Sequence, residues 1–168
     1  MTYPPGAILA VVTAAGLVVC TVAETLRPLR RRIERRLRRA ARNFTAGGIS
    51  LAVVTLLQTP LLAPVAGWTA RNGFGILNAI RLSPPAAAIA GVLLLDYTLW
   101  VWHWANHVVP FFWRFHLVHH VDLDLDASTA LRFHFGEMAL SVPVRALQVI
   151  VACADPLALW LWQGALFV

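Results

Sequence analysis

His103, His107, His116, His119, His120 and His134 are all the histidines this chain has. They fall together in "WVWHWANHVVPFFWRFHLVHHVDLDLDASTALRFHFGE", residues 100–137. His103 and His107 are four apart, so on a helix they share one face about 6 Å apart along the axis. His116, His119 and His120 repeat the theme at i, i+3 and i+4. The adjacent His119 and His120 diverge by about 100° and can serve two different ions. Pro110, between the two groups, belongs at the first turn of a new helix, because inside one it would remove a hydrogen bond. Neutral imidazole is a ligand for Fe, Zn, Cu or Ni. A lone histidine of this kind would be an ordinary interfacial residue; six in this pattern predict a metal centre.

The elements that must hold these groups are membrane helices. The chain has 168 residues, 59% hydrophobic and 13% charged, with mean hydropathy +0.68. A soluble domain is nearer half apolar and a quarter charged. Apolar runs at 6–26, 44–66 and 86–103 are long enough to cross a bilayer. A fourth apolar region, 138–168, is broken by Arg145 and by Asp155-Pro156, and reads as a bent helix or a shallow hairpin. The opening "MTYPPG" lacks a basic leader, so the first run reads as a retained span. The prediction is an all-α integral membrane helical bundle, a single membrane domain over 1–168, with no second globular unit.

Charge sets the orientation. Every basic residue is Arg, and nine lie in "RPLRRRIERRLRRAARNF", residues 27–44. Between two apolar spans, such a run is a cytoplasmic loop that fixes topology, with contact to anionic lipid as an accompaniment and no nucleic-acid partner. The third span then returns inward and delivers the histidine cluster to the cytoplasmic face. Cys20 and Cys153 lie in apolar segments without a CxxC partner and read as buried small hydrophobes.

Several neighbours of the histidines carry expectations of their own. Asp96 sits seven residues before His103, two turns away on a similar face, and a membrane carboxylate is a functional candidate by default. It is expected to hydrogen-bond a ligand imidazole and fix its tautomer. Arg132 and Glu137 flank His134 and are expected to pair with each other. The alternating Asp122, Asp124 and Asp126 lack the glycine and distal Glu of a calcium loop; they read as a solvated loop in which Asp126 caps the next turn. Trp100, Trp102, Trp104 and Trp113 fit an aromatic belt at the membrane boundary.

Residues 93–137, "LLLDYTLWVWHWANHVVPFFWRFHLVHHVDLDLDASTALRFHFGE", resemble the core of the fatty acid hydroxylase superfamily, also called the sterol desaturase family. The matching features are an Asp ahead of HxxxH, the "FWRFH" lead-in, the HxxHH box, and "TALRFH" followed by Gly-Glu. The resemblance implies a membrane-embedded pair of iron ions, for which zinc can substitute in a preparation. It implies His103, His107, His116, His119, His120 and His134 as the ligands. It also implies O2-dependent hydroxylation or desaturation of a lipid substrate. Electrons would come from a separate donor such as a ferredoxin or small haem protein, because no flavin, haem-attachment or iron–sulfur motif is present.

Three features depart from the family pattern: Trp104 stands at an often basic position, Phe135 at an often proline position, and no histidine follows His134. The expectation is therefore a truncated relative lacking part of its metal site. Two rival readings are a haem-binding electron-transfer membrane protein and a non-catalytic remnant that binds metal or lipid.

Overall fold

The computed structural model describes residues 6–28, 33–80, 82–152, 158–159 and 161–162. Its elements run α1 (Gly6–Leu26), α2 (Arg36–Asn72), α3 (Ile76–Ala79), α4 (Pro84–Val108), α5 (Pro110–His120), a 3₁₀ turn (Ala127–Leu131) and α6 (Phe135–Ala152). The described residues contain no strand, so the protein is an all-α bundle.

Proline punctuates the helices where its missing N–H costs least. Pro84 and Pro85 open α4, and Pro110 opens α5 after Val109 turns to an extended conformation. Pro60 and Pro64 inside α2 and Pro143 inside α6 do not end their helices, as is usual where neighbouring membrane helices support the backbone. Segments Arg36–Thr69, Pro84–Val108 and Phe135–Ala152 are each long and apolar enough to cross a bilayer.

These bounds differ in part from the sequence reading. Residues 6–26 form α1, a helix with the bounds of the first apolar run. The helix that carries the second apolar run begins ahead of it, at Arg36 within the Arg run: Arg is a good helix former, and the helix turns Arg39 and Asn43 inward. Region 138–168 is not broken at Arg145, because its guanidinium donates to Gln58 Oε1 at 3.3 Å, so α6 is continuous from Phe135 to Ala152. Cys153 and Asp155-Pro156 lie outside the described residues.

Packing leaves most large apolar side chains outward, as lipid-facing helices require. Leu37, Leu56, Leu93, Tyr97, Trp100 and Leu147 are exposed. Cys20 is likewise exposed on α1, not buried, because that helix turns its small residues outward as well. Among the described residues the buried apolar side chains are few; Leu95, Ala152 and Trp162 form a cluster, with Val92, Leu94, Leu99 and Leu159 against it. Polar contacts between the helices supplement it. Gln148 on α6 donates to Thr98 Oγ1 on α4 at 2.8 Å, and Ser50 on α2 donates to the Phe133 carbonyl at 3.0 Å. Gly47 lets α2 approach the 3₁₀ turn closely: a Cβ there would lie 3.0 Å from the Leu131 carbonyl oxygen.

The segment after α5 is held by charge. Asp122 and Asp124 are buried, not solvated. Asp122 accepts from Thr129 Oγ1 at 2.8 Å and Asn43 Nδ2 at 3.2 Å, and faces Arg39 and Arg132 at 3.5 and 3.7 Å. Burial alone pushes the Asp122 carboxyl up, but the hydrogen bonds from Thr129, Asn43 and the Asp124 N–H, with the Arg39 charge, outweigh it and hold it below its usual range. Asp124 accepts from the Ile33 and Glu34 N–H groups. Asp126 pairs with Arg39 and caps the 3₁₀ turn through the Ser128 N–H at 2.9 Å, as the sequence predicted for its cap. Glu24 of α1 accepts from the Ala127 N–H. The Arg-rich start of α2 and the segment leaving the last α5 histidines are thus fastened together.

Candidate metal centre

Two helix turns assemble the centre. The i,i+4 spacing on α4 brings His107 Nε2 to 3.1 Å from His103 Nε2, and the same spacing on α5 brings His120 Nε2 to 3.0 Å from His116 Nε2. The break at Val109 folds α5 back against α4, so the pairs meet. Ring centroids of His103 and His116 are 4.8 Å apart, those of His107 and His116 4.9 Å, and those of His107 and His120 4.9 Å. One nitrogen from each of His103, His107 and His116 lies within 4.8 Å of the others.

Separations this short would let both nitrogens of a pair reach one ion at ordinary metal–nitrogen lengths of roughly 2.0–2.1 Å. Among the described residues, His119 Nδ1 and Glu137 Oε2 are buried beside the cluster without a hydrogen-bond partner, and an ion or a water there would satisfy them. The donor set is neutral imidazole, matching iron or zinc.

Burial also sets the charge of these rings. His116, 1% exposed, lies with Nδ1 2.9 Å from Glu137 Oε1. With the proton on Nδ1 donated to that carboxylate, the Nε2 lone pair faces the other rings. Burial, then the neighbouring His120 and His107 charges, pushes His116 down to about 4. Burial followed by the neighbouring imidazoles lowers His119 and His120 as well. All three are neutral, and therefore ligand-competent, at physiological pH.

That depression predicts a pH dependence for the metal-free protein. The unfolded chain takes up the His116 proton near 6.5, while the fold refuses it until about 4, so stability falls as pH drops between those values. Glu137 touches His116 and exchanges a proton of its own, so the effect is read in the Glu137→Gln background, where thermal unfolding in detergent should show Tm falling over that window, and less steeply once His116→Gln is added. In that background, a slope unchanged by His116→Gln contradicts the assignment.

The remaining candidates are placed differently. His119 adjoins the cluster, with its centroid 5.8 Å from His116 and 5.3 Å from His120, and stacks on Phe133 at 5.1 Å. His134 makes no ring contact with another histidine among the described residues: its ring lies against Phe115 and Phe135. Its Nδ1 accepts from the Gly136 N–H at 2.9 Å, in the manner of an N-cap on α6. Asp96 is exposed on α4 and has no hydrogen-bond partner among the described residues. Two turns separate it from His103 by about 10 Å along the axis, too far for the expected bond. Arg132 faces Asp122 and Glu137 meets His116, where the sequence suggested a pair. Trp100 and Trp104 point outward, Trp102 packs on Phe112, and Trp113 lies 5.4 Å from His107 and 5.6 Å from His120, roofing the cluster.

Gly136 is a steric requirement of this arrangement. A Cβ there would sit 2.8 Å from Phe115 Cδ1 and 2.9 Å from His134 Nδ1. Gly136→Ala should displace α6 from α5, costing about 1–3 kcal/mol and weakening metal retention through Glu137. Unfolding and metal titration of the variant check this; wild-type values for both would refute it.

Residues 88–168 match the family model described as fatty acid hydroxylase. No curated protein and no solved structure matches the chain.

Proposed function

Residues 88–168 belong to the fatty acid hydroxylase family, and from that premise we propose that this integral membrane protein oxidises a C–H bond of a lipid with O2 at a histidine-held pair of irons. The observation that carries the reading is the meeting of the α4 and α5 imidazole pairs. When bound, iron supplies the oxidising power that an unactivated C–H bond demands.

The protein's own residues do the rest. His103, His107, His116 and His120 hold the metals, with His119 beside them. Glu137 orients His116 by keeping its Nδ1 proton. Trp113 covers one side of His107, His116 and His120 and keeps water from it. His103, His107 and His120 are exposed on the other side, leaving a face through which an apolar chain reaches the metals without leaving the bilayer. Hydroxylation and desaturation share the same first hydrogen abstraction, and this site serves either.

The cluster lies on the cytoplasmic side in this reading. The contacts of Arg39 with Asp122 and Asp126 support it, because they tie the Arg-rich segment to the end of the histidine helix and positive segments stay inside. Cytoplasmic placement gives a separate electron carrier, such as a ferredoxin or small haem protein, access to the centre.

The test is metal analysis and lipid profiling together. Purified protein should carry two irons per chain, and cells expressing it should accumulate an O2-dependent hydroxylated or desaturated lipid. A Soret band in the absorption spectrum, or an unchanged lipid profile with iron fully loaded, would defeat the proposal.

A further inference from the structure

A second site lies away from the histidines, between α1 and the first turns of α2. A cavity of about 290 Å³ opens there. Its walls are Leu17, Val18 and Val22 from α1 and Ala40 and Phe44 from α2, and Arg36 stands at its polar end. Val18, Val22 and Phe44 are exposed on the apolar surface, so the cavity opens sideways toward acyl chains, not inward toward a core.

The polar end is cationic. Arg36 gives one nitrogen to the Thr25 hydroxyl and one to the Thr21 carbonyl at 3.0 Å. A guanidinium has five N–H donors, so these bonds aim the group while leaving donors to spare. Arg35 and Arg38, both exposed, have no ion-pair partner among the described residues. Asp126 also borders the cavity, but Arg39 neutralises it. An apolar slot ending in a guanidinium with no carboxylate partner among the described residues matches one amphiphile class, an acyl chain carrying a phosphate.

We propose that this cleft is a resident site for an anionic phospholipid of the surrounding bilayer, one acyl chain lying against Val18, Val22 and Phe44 and the phosphate on Arg36. The bound lipid would join α1 to α2 beside Asp126 and Ser128, and so brace the segment that leads from α5 to α6. This site needs no iron and stands or falls independently of the oxidation reaction.

Native mass spectrometry of the full chain, released from vesicles of phosphatidylcholine mixed with phosphatidylglycerol, tests it. One phosphatidylglycerol should be retained in preference to phosphatidylcholine. Arg36→Gln, losing a charge-assisted phosphate contact, should reduce retention about tenfold or more, and Ala40→Trp should abolish it by filling the slot. Arg36→Lys, which keeps the charge, should retain part of the binding, and Arg38→Gln, outside the cavity lining, should retain nearly all. Helical circular dichroism shows that each variant is folded. Equal retention of both lipids, or no retention, overturns the proposal. So does an Arg38→Gln loss as large as that of Arg36→Gln, which would assign binding to the arginine band as a whole, or undiminished binding in folded Ala40→Trp.

Discussion

His116→Ala should empty the metal centre. His116 is the most enclosed imidazole of the cluster and touches His103, His107, His119 and His120 as well as Glu137. Removing a partner that merely supports a metal ligand typically costs 10–100-fold in affinity, so deleting this ring should lower iron affinity by more than about a hundredfold and abolish product. The variant also leaves Glu137 buried without its imidazole, so some loss of stability should accompany the loss of metal. Inductively coupled plasma analysis across an iron titration reads the first effect. His134→Asn is the informative companion: it keeps a capping acceptor for the Gly136 N–H, and because His134 makes no ring contact with another histidine among the described residues, it should retain most of the iron. Iron loss equal to that of His116→Ala would show that His134 belongs to the ligand set. Wild-type iron in His116→Ala would remove the cluster from consideration as the metal site.

The second large effect lies outside the centre. Asp122→Ala removes the carboxylate that Arg39, Arg132, Asn43 and Thr129 share, and leaves the 2%-exposed Arg39 with only Asp126. Breaking a buried ion pair from one side costs about 3–5 kcal/mol, against about 5–15 kcal/mol for a whole domain. The expected outcome is a marginally folded protein with a sharply lower Tm, whose iron loss follows from the loosened segment between α5 and α6. Arg39→Met in the same background should recover part of the stability, since both members of the pair are then gone. If Asp122→Ala leaves Tm unchanged, the network does not hold this segment. If Arg39→Met makes the double variant worse by the sum of the single costs, the two residues are not coupled.

What the sequence made legible follows from the range of each interaction. The imidazole pairs could be read because i and i+4 meet through helix geometry alone, and Pro110 because its missing N–H marks a helix start. The Asp122 network could not, since Asn43 and Arg39 lie 79 and 83 residues away in the chain and only the folded packing of α2 beside the 3₁₀ turn brings them together. For the same reason an alternating acidic segment looked solvated when two of its three carboxylates are buried. Asp96 misled through a true periodicity: seven residues return a side chain to the same face, but two turns further along the axis. Arg132 and Glu137 looked like partners because they are near in sequence, whereas Asp122 and His116 claim them from either side of α6's start. Arg145 suggested a broken span; one neutral amide on α2 was enough to accommodate it.

The single residue between α4 and α5 bears on biogenesis. Both imidazole pairs form as soon as their own helices do, and Val109 alone separates those helices. Closing so short a connection carries little entropic penalty, so the four imidazoles of the candidate centre can come together as the stretch from His103 to His120 emerges from the ribosome. Glu137 is then a late arrival, fixing a constellation that the preceding hairpin has already drawn up.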